Sequence, residues 1–195
     1  MFELLVSEDL RELSEEELDK AFVTHENGVK QFLGRIPLGC IYATFLAGIY
    51  VELEKIVGRA AKGLIVNASR NRGKIAGSAI RRRYEKKYGE MDEERARMIA
   101  RNMVTIWGKC FGWGKMQFLM KDDDFEVTVE DSLEAVGYRK LREKPDHPVC
   151  WMLLGYMWGL LEGLFNRKFE GEEVECSALG AEACKFVFKK FDDRK

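Results

Sequence analysis

Four residues near the end of the chain have the side chains and the spacing to share one metal ion: Cys150, Glu173, Cys176 and Cys184. Cys176 and Cys184 flank the turn-like stretch SALGAEA. If that turn centres on Gly180, the two cysteines face each other across a hairpin, where opposed Cβ atoms lie about 4.5–5.5 Å apart. Both thiolates then reach one ion at about 2.3 Å each. Cys150 opens an apolar segment that can deliver it to the hairpin. Glu173 is harder to place, because three residues before Cys176 puts it on the opposite strand face. A bulge would shift that alternation, and on geometry alone Glu172 and Glu175 are rival ligands. Spacing also leaves two readings without metal: buried cysteines acting as small hydrophobes, or a Cys176–Cys184 disulfide. The paired CxxC motifs of a zinc ribbon are absent. Thiolate ligands favour zinc over magnesium or calcium, and a closed set of four protein ligands makes such a site structural.

The elements that must position these residues follow from periodicity and punctuation. Pro148–Phe165, PVCWMLLGYMWGLLEGLF, is apolar all round. Such a helix is either a membrane span or the centre of a globular core. Glu162 within it and charged sequence on both sides favour the buried helix. Gly155, Gly159 and Gly163 recur every fourth residue and leave one bare stripe, which admits a close neighbour or leaves room beside the helix. CKFVFKK alternates, with Phe186 and Phe188 on one face. GKMQFLMK and FEVTVEDS, around Asp122–Asp124, read as a second hairpin. Upstream, the sequence after Pro37 reads as a long apolar helix ending near Gly58, and residues 67–88 as a basic amphipathic helix. Asp92 is placed to cap the helix DEERARMIARNMVTIWGKCF. Ser14 with Glu17 fits a capping box. The expected fold class is α+β: N-terminal helices packed on an antiparallel sheet of two hairpins, with a central buried helix. Residues 1–34 read as an arm or helical lead-in, and 35–195 as the domain.

Composition sets the function classes. Of 195 residues 46% are hydrophobic and 33% charged, enough for a sizeable core under a charged surface. The formal net charge of -1 gives no support for nucleic acid or an anionic membrane as partner. The basic run Arg81, Arg82, Arg83, Lys86, Lys87 is followed at once by acidic Glu90–Glu94, and reads as a solvated helix face. Five cysteines, an odd count, argue against a secreted disulfide framework and for the cytoplasm. No dinucleotide-binding glycine motif, phosphate loop or Ser/His/Asp set is legible, so no catalytic residue is named.

The stretch PVCWMLLGYMWGLLEGLFNRKFEGEEVECSALGAEACKFVF resembles the 4-vinyl reductase domain family. The family pattern is a cysteine opening a glycine-rich apolar helix, then an acidic residue, a cysteine, a glycine and a final cysteine before an aromatic. Weaker echoes lie at Ile75–Gly89 and Leu133–Ala135, and the resemblance spans roughly residues 35–190. It implies a ligand-binding fold shared with haem nitric-oxide sensors and Golgi transport tethering subunits, and with the sensor domains of aromatic-responsive activators. It implies zinc on three cysteines and a glutamate, which fall on Cys150, Glu173, Cys176 and Cys184. Here Gly180 is followed by Ala181 where the family has Gly-Asp, a departure that bears on the turn.

The resemblance further implies a homodimer, and a pocket between helices and sheet for a hydrophobic or aromatic small molecule. Aromatics concentrate at Trp107, Phe111 and Trp113 and again around Tyr156, and these four are the expected ligand contacts. The function expected is a sensory or regulatory binding module with structural zinc. The alternatives are a scaffolding or assembly protein, or an accessory protein of tetrapyrrole metabolism.

Overall fold

The computed structural model describes residues 14, 16–17, 20, 22–25, 30–32, 36–39, 41–121, 124–141 and 145–191. Its elements run β1 (Phe22–Thr24), β2 (Lys30–Phe32), β3 (Ile36–Leu38), α1 (Ala43–Val57), α2 (Ala60–Tyr88) and α3 (Glu93–Phe111). They continue with β4 (Lys115–Lys121), β5 (Asp124–Glu130), α4 (Leu133–Leu141), α5 (Trp151–Phe165), β6 (Phe169–Glu175) and β7 (Cys184–Lys190). The two expected hairpins, β4–β5 and β6–β7, join through β5 and β7 into one antiparallel sheet of order β4-β5-β7-β6. Phe125, Val127 and Val129 of β5 pair with Phe188, Phe186 and Cys184 of β7, and all six are buried on one face. The architecture is the α+β class expected.

Two features were not expected. Residues 22–38 contain a small antiparallel meander, β1-β2-β3, that runs across the 34/35 boundary, and Phe32 within it is buried edge-on against Phe111 of α3. Most of residues 1–34 lies outside the described residues. Ser14 and Glu17 do exchange the reciprocal bonds of a capping box, Ser14 N–H to Oε2 at 2.9 Å and Glu17 N–H to Oγ at 3.3 Å. The second feature is α4, whose basic end at Arg139 and Lys140 suits the helix dipole. Asp92 caps α3 by accepting from the Arg95 N–H at 2.8 Å. α2 begins seven residues before the expected start at 67, at Ala60.

α5 is the core. It lies across the sheet, with Phe165 against Phe125 and the Trp158 indole N–H donating to the Phe169 carbonyl at 2.8 Å. Its other side presents Gly155, Gly159 and Gly163 to α2, and α2 returns Gly73 and Gly77. The two helices run parallel and touch backbone to backbone. A Cβ on Gly159 would sit inside the Arg70 carbonyl oxygen, and one on Gly73 inside the Tyr156 carbonyl oxygen. The bare stripe therefore admits a neighbour and leaves no room beside it. Between the glycines, Glu162 is buried and accepts from Arg70 at 2.5 and 3.1 Å, while the same guanidinium lies 3.9 Å from the centre of the Trp158 ring. Arg81 crosses the far end, donating to the Leu164 carbonyl at 2.8 Å and pairing with Glu85.

Gly159→Ala should therefore cost about 3 kcal/mol or more, because neither backbone can yield without separating the helices. Gly63→Ala, also in α2 but with nothing near its Cβ, should be neutral or stabilising by up to about 1 kcal/mol. Urea unfolding of both variants checks this, and equal effects would contradict the packing argument.

Candidate functional site

The structure brings Cys150, Glu173, Cys176 and Cys184 together. All four are buried, and one donor atom from each lies within 4.8 Å of every other. Each comes from a different local structure. Cys150 is the N-cap of α5. Cys184 opens β7 opposite Val129. Glu173 precedes a bulge in β6: it pairs with Phe186, and the next register pair is Glu175 with Lys185. Val174 is the extra residue and is exposed, so Glu173 and Cys176 turn to the same side. Glu172 and Glu175 are exposed, away from the cysteines.

The expected cross-strand pairing of Cys176 with Cys184 does not occur. β6 ends at Glu175, and Cys176 leads into a 3-10 turn over Ser177–Leu179. That turn bends back because Leu179 N–H and Ala181 N–H both donate to the Cys176 carbonyl, at 2.9 and 3.4 Å. Gly180 supplies the left-handed conformation with φ 102°, so the conformational demand of the turn falls on a residue this chain shares with the family pattern. Ala181 is no obstacle. Cys110, Cys150, Cys176 and Cys184 are free thiols.

The cluster is held by short polar contacts. The sulfurs of Cys150 and Cys184 are 3.5 Å apart. Ser132 Oγ lies 3.2 Å from the Cys150 sulfur, and the Ser177 N–H donates to Cys184 at 3.3 Å. Hydrogen bonds from Cys150 and Cys176 hold the Cys184 thiol far below its usual range, whereas burial pushes the Cys150 thiol up. Burial also pushes the Glu173 carboxyl up to about 7. Glu173 Oε2 accepts the Cys150 N–H at 2.9 Å, but Oε1 is buried with no hydrogen-bond partner. A buried carboxylate oxygen without a partner is costly, and the Glu173 carboxyl group lies within 4.8 Å of three sulfurs. This is a donor set for a soft divalent cation.

Next to the cluster stands a second buried carboxylate. Glu134 of α4 accepts from the Met152 and Leu153 N–H groups at 2.9 and 3.0 Å and from the Tyr50 hydroxyl at 2.5 Å. Glu173 and Glu134 thus take up the amides that the first turn of α5 cannot satisfy itself. Tyr50 and Glu54 on α1 pair with Glu134 and Tyr138 on α4, the second bond running from the Tyr138 hydroxyl to Glu54 at 2.6 Å. Residue types alone did not disclose this reciprocal pair.

The aromatic residues Trp107, Phe111, Trp113 and Tyr156 all line one cavity of about 430 Å³. Its other walls come from α2, from Met152 and Leu153 of α5, and from Phe32 and Leu38 of the small sheet. It lies among helices and the β1–β3 meander; among the described residues the four-stranded sheet adds nothing to its lining. The expected position against the main sheet is corrected accordingly, because α5 lies between that sheet and the cavity. Trp107 meets Tyr156 edge-on, with ring centres 4.4 Å apart. The volume suits a small organic ligand.

Comparison with known proteins can now be set against this geometry. Residues 125–190 match the family model of the 4-vinyl reductase domain. The resemblance is thus borne out, over the segment that holds all four cluster residues. The transcriptional regulatory protein XylR of Pseudomonas putida is 25% identical over 190 residues, covering 95% of this chain and 32% of its own. An uncharacterized protein of Methanocaldococcus jannaschii, MJ0855, is 31% identical over 91 residues, covering 46% of this chain and 36% of its own. The chain therefore spans about a third of the length of the curated relatives it matches. In fold it is similar to the phenol-responsive sensory domain of the transcription activator PoxR, solved with phenol. That match has a TM-score of 0.71 at 21% identity, covering 90% of this chain and 87% of that one. No helix among the described residues is long and apolar enough to cross a membrane.

The cluster's neighbour Glu134 makes a prediction about pH. Burial pushes its carboxyl from 4.5 up to about 8, against the lowering effect of its three hydrogen bonds. The folded state then keeps a proton that the unfolded chain releases. This contribution to stability is complete below about pH 4.5 and is lost as pH rises through about 8. Glu134→Gln removes the titrating group. Unfolding free energy of the wild type should fall relative to the variant across that window; parallel curves would contradict the shift.

Proposed function

We propose that this chain is a sensory or regulatory module that binds a hydrophobic or aromatic small molecule and holds one zinc ion as a structural anchor. The observation that carries the reading is the cavity, apolar and enclosed by four aromatic side chains from two helices and the segment after α3. Trp107, Phe111, Trp113 and Tyr156 are the proposed ligand contacts. The fold likeness to a phenol-responsive domain and the sequence likeness to a transcriptional regulator support the same reading. Filling the cavity tests it. Ala76 lines the cavity from α2, and Ala76→Leu should leave the fold intact while abolishing the quenching of tryptophan emission by phenol or toluene. Binding undiminished in Ala76→Leu would place the ligand elsewhere. No response of the wild type to either compound, or to larger aromatics, would remove the reading.

The proposed zinc ligands are Cys150, Glu173, Cys176 and Cys184. Three thiolates and a carboxylate suit zinc, and four protein ligands leave no open position for catalysis. The unpartnered Oε1 of Glu173 is the donor that a bound ion would satisfy. Free thiols held this way fit a reducing compartment, here the cytoplasm. A homodimer is proposed as well, because α1 and its N-cap residue Tyr42 expose Tyr42, Phe45, Ile49 and Ile56 along one side. Native mass spectrometry reads both features at once. The expected species is two chains carrying two zinc ions, with Cys176→Ser losing the metal and several degrees of thermal stability. A metal-free wild type prepared without chelators would remove the zinc, and a monomer at micromolar concentration would remove the dimer.

A further inference from the structure

The cavity offers a guest no spare charge. Arg83 is the only charged residue among the described residues that line it, and it is already engaged within the protein. No carboxylate and no histidine stands beside it in that lining. An ionised group carried inside would lose its water and find no counter-charge. A neutral guest carries no such cost.

Size narrows the class further. An apolar cavity of about 150 Å³ holds one benzene ring. This cavity, at about 430 Å³, is nearly three times as large. Fused rings share edges, so the space of three separate rings takes up to four joined ones. The walls have little means of shrinking around less. α2 supplies Ala76, Ala79 and Ile80, and α5 supplies Met152, Leu153 and Tyr156. These helices already touch backbone to backbone at Gly73 and Gly77, so neither wall can close on the other. A single ring would leave most of the volume unfilled, and side chains facing the gap would lack dispersion partners. Five aromatic side chains among the described lining suit a flat aromatic guest, which meets other rings stacked or edge-on. Met103 and Met152 adapt to the gaps that remain.

We infer that the cavity takes a neutral polycyclic aromatic compound of two to four joined rings. This rests on the pocket reading above and names the ligand class. The shape of the walls selects for size, and the lack of a spare counter-charge selects against acids of the same size.

Equilibrium dialysis of the full chain against toluene, naphthalene, phenanthrene and phenanthrene-9-carboxylate reads both selections. Affinity should rise about fiftyfold from toluene to phenanthrene, in step with the apolar area each guest removes from water. The carboxylate should bind at least about tenfold more weakly than phenanthrene, because its charge is desolvated without a partner. Ala76→Leu should lose all of these guests together. Phenanthrene bound no more tightly than toluene, the acid bound as tightly as the hydrocarbon, or phenanthrene retained by Ala76→Leu would each overturn this inference. Toluene or phenol bound by the wild type and lost in Ala76→Leu would still leave the pocket reading standing. No binding of any probe, phenol included, would overturn both.

Discussion

The glycine-lined contact between α2 and α5 sets the terms for the rest of the molecule. With Gly155, Gly159 and Gly163 against α2 and the sheet on its other side, α5 has no solvent-facing side in its middle. Every polar group it carries must then be satisfied from within. Arg70 answers Glu162 in the middle, and Arg81 takes a carbonyl at the far end. The first turn has no side-chain cap of its own. Its amides fall to Glu173 and Glu134, carboxylates delivered from β6 and α4.

This arrangement joins the two candidate sites through one helix turn. Cys150 belongs to the cysteine cluster and caps the start of α5. Met152, Leu153 and Tyr156, within the next two turns, face the cavity. Glu134 holds the amides of two of those residues directly. Whatever fixes the cluster therefore also fixes the height and rotation of the cavity wall.

Much of this was legible in the residues. Cysteines at the ends of an apolar helix and a turn are rare enough to nominate themselves, and the family pattern chose Glu173 among three neighbouring glutamates. The bulge at Val174 that makes the choice geometrically sound has no local signature; it depends on β7 pairing on the other side. The glycine stripe of α5 was visible, but its counterpart, Gly73 and Gly77, sits in a helix whose lysines and arginines masked the small-residue spacing. β1–β3 are three residues each, too short for alternation to show. The Tyr50–Glu134 and Glu54–Tyr138 pairs link residues 84 apart in sequence, and only tertiary packing brings them together.

The parallel pair α2–α5 also limits how the molecule can answer a ligand. Helices that interlock through side chains can slip by changing rotamers; helices in backbone contact have no such layer to shear. These two should behave as a single beam along the cavity. Displacement on the arrival of a guest then falls to the opposite wall, where Phe32 leans on Phe111 and Trp113 follows the left-handed Gly112 that ends α3. That wall leads directly into β4, the strand at the edge of the four-stranded sheet.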